Sequence, residues 1–467
     1  MDGHSRNLVA ALPETFADRP PASGDRATEV DAKGVMLLRV FETLEAAGAP
    51  WCVLHGYQHY PQSIPSDVDL LISEQISSSR LAEILHAARA HIGGRIVQWF
   101  EDGAIFIVLA SDQPGPSAPM LQLHISRHYS IGGRIFFHAR EILDKRQRRG
   151  QFWTPSPSVE FACVLINRMI KGNLTDDHAA RLSELYAQDR NPCEASIAKF
   201  VAGPSAALIG QAGVSGNWSK VRSSMDKISG KLLASPATRS DSSITSLFRK
   251  ARRWLRPQNG FHVVFLGPDG VGKSTVIETF QRDIEQVFLE SQYLTFAPSL
   301  IPAKLAPKKS VPHELPPRSF PASLIKAAWW LICYTFGYLA SVHRVKARGG
   351  LVVNHRYLLD AIVDQKRYRY SGPVSLLRGI WKVSPKPDLV LLLDAPPEVI
   401  RARKSELPIE EIARQREAYR SVVTAQKMGR LIDASQPLKK VIADAEALVV
   451  DRLAERAQRQ LKLRGGM

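Results

Sequence analysis

Apolar positions recur at two spacings along this chain, one helical and one strand-like. Within residues 35–48, Leu37, Val40, Phe41 and Leu44 fall at helical spacing and Gly48 supplies a stop, which predicts a helix. The run WCVLHG at 51–56 reads as a strand, and DVDLLIS at 67–73 as a second one after a loop carrying Pro61 and Pro65. A helix near 79–92 and strands near 95–101, 103–110 and 119–125 follow, so this part reads as a small mixed α/β domain. Helical periodicity returns over 156–188 and closes that domain as a helical appendage. Farther on, FHVVFL at 261–266, LVVN at 351–354 and DLVLLLD at 388–394 are unbroken β-branched and leucine runs. Runs of this kind fit strands buried on both faces of a parallel sheet, and the helical segments between them predict a doubly wound α/β domain.

Composition places the boundaries. Residues 1–30, rich in Pro, Ala, Asp and Arg, read as a disordered lead-in, 31–202 as the first domain and 259–467 as the second. From 203 to 258 the chain turns to Gly, Ser, Ala and Lys and ends in SLFRKARRWLRP, where basic residues accompany Phe248, Trp254 and Leu255. That stretch reads as a basic linker, either a solvated connecting helix or an amphipathic patch that touches anionic membrane or nucleic acid. The net charge of +17 favours anionic partners in general. Cys52, Cys163, Cys193 and Cys333 form no CxxC pair, and no secretory signal is visible, which fits a reducing, cytoplasmic location, peripheral at a membrane if the basic linker docks there. The most apolar run, AAWWLICYTFGYLASV between Lys326 and His343, has 16 residues. A bilayer needs ~20, so a buried helix is expected there.

Immediately after the 261–266 strand comes Gly267-Pro268-Asp269-Gly270-Val271-Gly272-Lys273-Ser274-Thr275, followed by the helical VIETFQRDIEQVF. This satisfies GxxxxGK[ST] in the strand–loop–helix setting that the motif requires. Its glycines let backbone N–H groups wrap a phosphate, and the helix N-terminus adds its dipole. Lys273 is expected to reach the β and γ phosphates of ATP and Ser274 to ligate Mg²⁺, with Thr275 starting the helix behind it.

The loop GPDGVGKST resembles that of thymidylate kinases, in which a carboxylate at the position of Asp269 faces the acceptor nucleotide. Three later segments are similar to that family: LVVNHRYLLD at 351–360, with Arg356 and Tyr357 on its Asp-Arg-Tyr, PDLVLLLDAPPEVIRARK at 387–404 leading into a lid, and LIDAS at 431–435, which would put Asp433 beside the adenine. The resemblance covers about 260–455 and implies a P-loop nucleoside monophosphate kinase fold, ATP and Mg²⁺ as cofactors, and a homodimer as a known habit of the family. It also implies catalytic roles for Lys273, Asp269, Arg356 and a lid arginine drawn from Arg401, Arg403, Arg414 and Arg416, with Arg403 preferred. Two departures concern the acceptor. YLTFAPS at 293–299 stands where the family has Arg-Glu-Pro, and His355 replaces the Asp of Asp-Arg-Tyr, with Asp360 at a family serine and Asp394 as a substitute carboxylate.

In the first domain, His55-Gly56-Tyr57 followed by Ser66-Asp67-Val68-Asp69 looks like the nucleotidyltransferase signature, a glycine turn ahead of Asp-x-Asp. Alternation puts Asp67 and Asp69 on one face, where they could hold metal. The third acid of that fold is missing from LQLHIS at 121–126, where Gln122 and His124 face inward, and Tyr57 replaces the usual Gly or Ser. The two-domain arrangement is similar to bacterial fusion proteins associated with surface-polysaccharide clusters. The expected function is phosphoryl transfer from ATP to a nucleoside monophosphate, or to a diverged small-molecule or sugar acceptor. Two alternatives stand beside it: nucleotidyl transfer through Asp67 and Asp69, and a non-enzymatic module that responds to nucleotide.

Overall fold

The computed structural model describes residues 30–112, 119–240, 259–298, 316–405 and 407–465. Among these, 30–112, 119–240 and 454–465 make one compact unit and 259–453 the other.

In the first unit, Asp31 caps the helix Ala32–Ala46 by accepting the Gly34 N–H at 2.7 Å. The predicted positions Leu37, Val40, Phe41 and Leu44 are buried, with Phe41 stacked on Trp51 at 4.5 Å between ring centroids. Strands β1 (Trp51–Val53), β2 (Val68–Ile72), β3 (Gly94–Asp102), β4 (Ala104–Ser111) and β5 (Met120–Ser126) form a sheet in the order β1-β2-β5-β4-β3. Only the β2–β5 pair is parallel, and its register sets Asp69 opposite His124.

The helical part reaches beyond its expected end. Pro157–Lys171 and Asp176–Gln188 are joined by Arg190–Ala198, Pro204–Ser215 and Met225–Ala234, and Ile209, Trp218, Val221, Ile228 and Leu232 are buried in the same core. Residues 204–234 are therefore packed protein, which corrects the expectation of a linker from 203. The small residues that suggested a linker permit close packing instead: a Cβ on Gly213 would lie 2.6 Å from the Tyr186 ring. The basic segment 246–257 lies outside the described residues. A second correction falls at the other boundary, because 454–465 belongs to the first unit, where Ala457 and Leu461 are buried.

The second unit holds β6 (Phe261–Leu266), β7 (Ser291–Thr295), β8 (Leu351–His355), β9 (Leu389–Asp394) and β10 (Gly429–Asp433), all parallel, in the order β7-β8-β6-β9-β10. Every residue of β6 and β9 is buried, as their unbroken apolar runs predict. The edge strands are mixed in character, and their sequences SQYLT and GRLID carry a weaker signal. The chain leaves β6 for the far edge, returns through β8, and crosses to β9 on the other side. The C-terminal end of β6 is thus a switch point, where open parallel sheets form a ligand crevice.

The apolar run before His343 is helical, as Phe320–Ile332 continuing into the wider π-helical turns of Cys333–His343. Burial was expected along it and holds for one side only. Trp330, Cys333 and Tyr334 are inside, whereas Trp329 is 42% and Phe336 64% exposed. Among the described residues no helix is long and apolar enough to cross a membrane.

Candidate active site

The loop at the end of β6 is shaped by three glycines with positive φ, Gly267 at 143°, Gly270 at 89° and Gly272 at 101°. Two of them are also crowded: a Cβ on Gly267 would sit 2.6 Å from the Leu393 carbonyl oxygen, and one on Gly270 2.8 Å from Lys404 Cβ. The helix Lys273–Ile284 starts at Gly272 with no side chain capping its first turn. Its leading N–H groups are thus offered to an anion in the way that phosphate-binding helix termini are. Ser274 and Thr275 are exposed on that turn.

Lys273 is buried, and its Nζ donates to the carbonyl oxygens of Gly267 at 2.7 Å and Pro268 at 2.8 Å. Asp269 Oδ1 lies 3.6 Å from the same ammonium. Burial pushes the Lys273 pKa down to about 8, against the pull of Asp269 and with a further push from Arg356.

Arg356 and Asp269 are brought together as expected. The Arg356 guanidinium donates to Asp269 Oδ1 and lies 3.5 Å from Asp360 Oδ2 through its other terminal nitrogen. Its backbone adopts φ 71°, left-handed and unusual for a non-glycine residue, with its N–H donating to Phe265 O at 3.0 Å. Asp360 is fully buried and accepts hydrogen bonds from Tyr368 at 2.5 Å and from the Tyr419 hydroxyl. This carboxylate therefore anchors the arginine that reaches Asp269.

Arg367 is a site residue that the sequence reading missed. Its guanidinium donates to Asp269 Oδ2, so two arginines and a lysine converge on one carboxylate. The turn carrying it is fixed by its own N–H, which donates to Asp364 Oδ1 at 3.1 Å. No motif marked Arg367, which lies in an alternating basic and aromatic stretch, KRYRY, that reads as surface. The signal that could have found it is that two aromatics of that stretch turn inward: Tyr370 is buried and Tyr368 lies 4.4 Å from the Phe296 ring between centroids.

The arginines proposed for a lid separate into different tasks. Arg416 grips Asp394 with two hydrogen bonds of 2.7 and 3.0 Å, and Arg420 adds a third at 2.7 Å. Asp394 is thereby an arginine anchor. Arg414 pairs with Glu411, and Arg401 is exposed. Arg403 donates to the carbonyl oxygens of Val271 at 3.2 Å and Ala434 at 3.0 Å, tying the back of the loop to the segment after β10. Asp433 is exposed and accepts from the Ser435 N–H at 2.9 Å and from Gln436 at 3.1 Å, which folds the turn beside the loop. His355 closes β8 in register with Thr295 on one side and Phe265 on the other.

In the first unit, Asp67, Asp69 and His124 offer ligand atoms within 4.8 Å of one another. His124 Nδ1 is 2.8 Å from Asp69 Oδ1, and His55 Nδ1 is 3.3 Å from Asp69 Oδ2. Burial opposes protonation of His124, but the hydrogen bond and charge of Asp69 outweigh it and raise its pKa. Burial and the neighbouring Asp69 raise that of Asp67. Tyr57 is turned away into the core, where its hydroxyl donates to Glu160, itself gripped by Arg181 at 2.8 Å. The glycine turn at Gly56, with φ 76°, therefore presents no hydroxyl from the following residue.

The 259–453 unit thus sets a glycine loop, an uncapped helix N-terminus and converging cations at the switch point of a parallel sheet. Comparison with known proteins narrows the class. No family model matches the chain. It is similar to the thymidylate kinases of Lacticaseibacillus casei (strain BL23) and Lacticaseibacillus paracasei (strain ATCC 334), each 26% identical over 211 residues, which cover 42% of this chain and 98% of theirs. The chain thus contains a thymidylate kinase-like stretch.

Proposed function

We propose that the 259–453 unit transfers a phosphoryl group from ATP to a small acceptor. The observation that carries this reading is the convergence of Lys273, Arg356 and Arg367 on Asp269 at the mouth of an uncapped glycine loop. ATP would lay its phosphates along the loop, and Lys273 Nζ would exchange its two carbonyl acceptors for phosphate oxygens. Phosphoryl transfer asks for positioned positive charge around the migrating group, and Asp269 aims both guanidiniums at that place. Mg²⁺ fits the exposed hydroxyl of Ser274 together with phosphate oxygens, a hard-oxygen set that suits this ion. When bound, it would neutralise charge on those oxygens.

The acceptor is a nucleoside monophosphate resembling thymidine monophosphate, or a diverged small molecule such as a sugar. Around 293–298 the crevice offers Tyr293 and Phe296 and no charged residue, which leaves recognition of the acceptor to Arg356, Arg367 and ring surfaces. Transfer of the γ-phosphate from labelled ATP to a panel of nucleoside monophosphates and sugars is the direct test. Transfer to one of them is expected, and ATP hydrolysis with no acceptor among either group would contradict the reading.

Proton linkage gives a second check. Near pH 8 the Lys273 ammonium of the nucleotide-free loop is partly neutral, and a triphosphate at Nζ raises its pKa. ATP binding at about pH 8.5 should therefore take up a proton, and below about pH 7 it should not, because the lysine is already charged there. Calorimetry in buffers of different ionisation enthalpy reads this uptake. It should vanish in Lys273→Met, and zero uptake in the wild type would exclude the linkage.

The cluster in the first unit supports a second reading, in which Asp67 and Asp69 bind metal for nucleotidyl transfer. Two carboxylates and an imidazole are a mixed oxygen and nitrogen donor set, suited to Mn²⁺ or Zn²⁺ as well as to Mg²⁺. Mn²⁺ binding followed by electron paramagnetic resonance should weaken at least tenfold in Asp69→Asn. Binding that is unchanged by that substitution would place the ion elsewhere.

A further inference from the structure

We propose that the helix Phe320–Ile332 and its π-helical continuation to His343 form a docking face for the surface of an anionic phospholipid bilayer, with the helix lying along it. Its outer side exposes Phe320, Ile325, Trp329, Ile332, Phe336 and Leu339, between 39% and 72% accessible. With ~150–250 Å² for a large aromatic side chain, these six present on the order of 600 Å², the upper end of the ~300–600 Å² that the largest apolar patch of a monomer usually covers. Such a patch marks an interaction surface.

Charge selects the partner. From Pro316 to Leu359 the sequence has no acidic residue, while Arg318 and Arg344 flank the apolar face and are exposed, and Arg348 beyond them lies 3.9 Å from Glu290. The helix Val374–Val383, which packs against Phe320–Ile332, repeats the pattern with exposed Arg378, Lys382 and Val383 and again no acid. An aromatic and aliphatic face on two helices that carry exposed arginine and lysine and no acid of their own is the composition of a surface that lies at the headgroup boundary of an acidic leaflet.

Flotation of the full-length protein with phosphatidylcholine vesicles, with and without 30% phosphatidylserine (about that fraction, to give a leaflet potential of the usual order), tests the proposal. Capture by the acidic vesicles is expected, weakened by added salt. It should fall at least tenfold in Ile325→Ser/Phe336→Ser, whose exposed positions can be changed without opening the core. An unchanged unfolding midpoint confirms that the variant is folded. Arg252→Glu/Arg253→Glu in the basic segment separates the two candidate surfaces. The proposal fails if acidic vesicles capture nothing, if only the Arg252/Arg253 variant loses capture, or if light scattering shows a dimer that Ile325→Ser/Phe336→Ser dissociates without vesicle binding.

Discussion

Lys273→Ala should lower the rate of phosphoryl transfer by a factor of about 10² to 10³ or more, the usual loss when one preorganised cation or donor is removed from a developing charge. The side chain is buried and holds two loop carbonyls at 2.7 and 2.8 Å, so truncation also leaves those carbonyls without a donor. Lys273→Met keeps most of the volume and isolates the charge. Single-turnover transfer from labelled ATP should show the same deficit in both variants, with thermal unfolding shifted more in the alanine protein. Full turnover in Lys273→Met would remove the lysine from the chemistry and with it the present reading of the loop.

The second large effect falls on stability and activity together. Asp360 is fully buried, accepts hydrogen bonds from Tyr368 and Tyr419, and faces Arg356 at 3.5 Å. Asp360→Ala leaves a buried guanidinium with one carboxylate fewer and two hydroxyls without their acceptor, a change that costs ~3–5 kcal/mol when a buried charge pair is broken. Urea unfolding of the full chain should show the loss in the transition of the 259–453 unit, and transfer activity should fall because Arg356 loses the group that aims it. Arg356→Met in the same background removes the stranded charge, so the double variant should recover part of the stability while remaining inactive. Recovery of activity there would show that Arg356 plays no part in transfer.

The readable parts of this molecule were those where one short stretch meets one physical demand. The runs FHVVFL and DLVLLLD read as central strands because short runs rich in β-branched residues and leucine, set between helical segments, suit strands buried on both faces. Gly267, Gly270, Gly272, Lys273 and Ser274 were legible as a phosphate-loop pattern because positive φ, close backbone approach and a cation recur in it at fixed spacing, and the three glycines do have positive φ. Asp67 and Asp69 were visible as an alternating pair on one face of a strand, and the register that puts His124 opposite Asp69 brings an imidazole beside them. Information carried between distant segments was hidden. Arg367 became a site residue only when the fold brought it to Asp269, 98 residues earlier. Arg403 was expected as a lid cation, and its two bonds to the Val271 and Ala434 carbonyls depend on segments far apart in the sequence. The helices of 204–234 were taken for a linker because their glycines and serines, which allow tight packing, are also the residues of flexible chain.

The placement of Ala457 and Leu461 in the first unit's core has a consequence in time. That core is begun by residues near 36 and completed by residues beyond 454, so a ribosome must translate the whole intervening stretch before the last contacts can form. At ~5–20 residues per second the gap from 240 to 461 takes on the order of ten to forty seconds. During that interval the first unit lacks the cover of Ala457 and Leu461, and the completion of its core is timed by synthesis of the second.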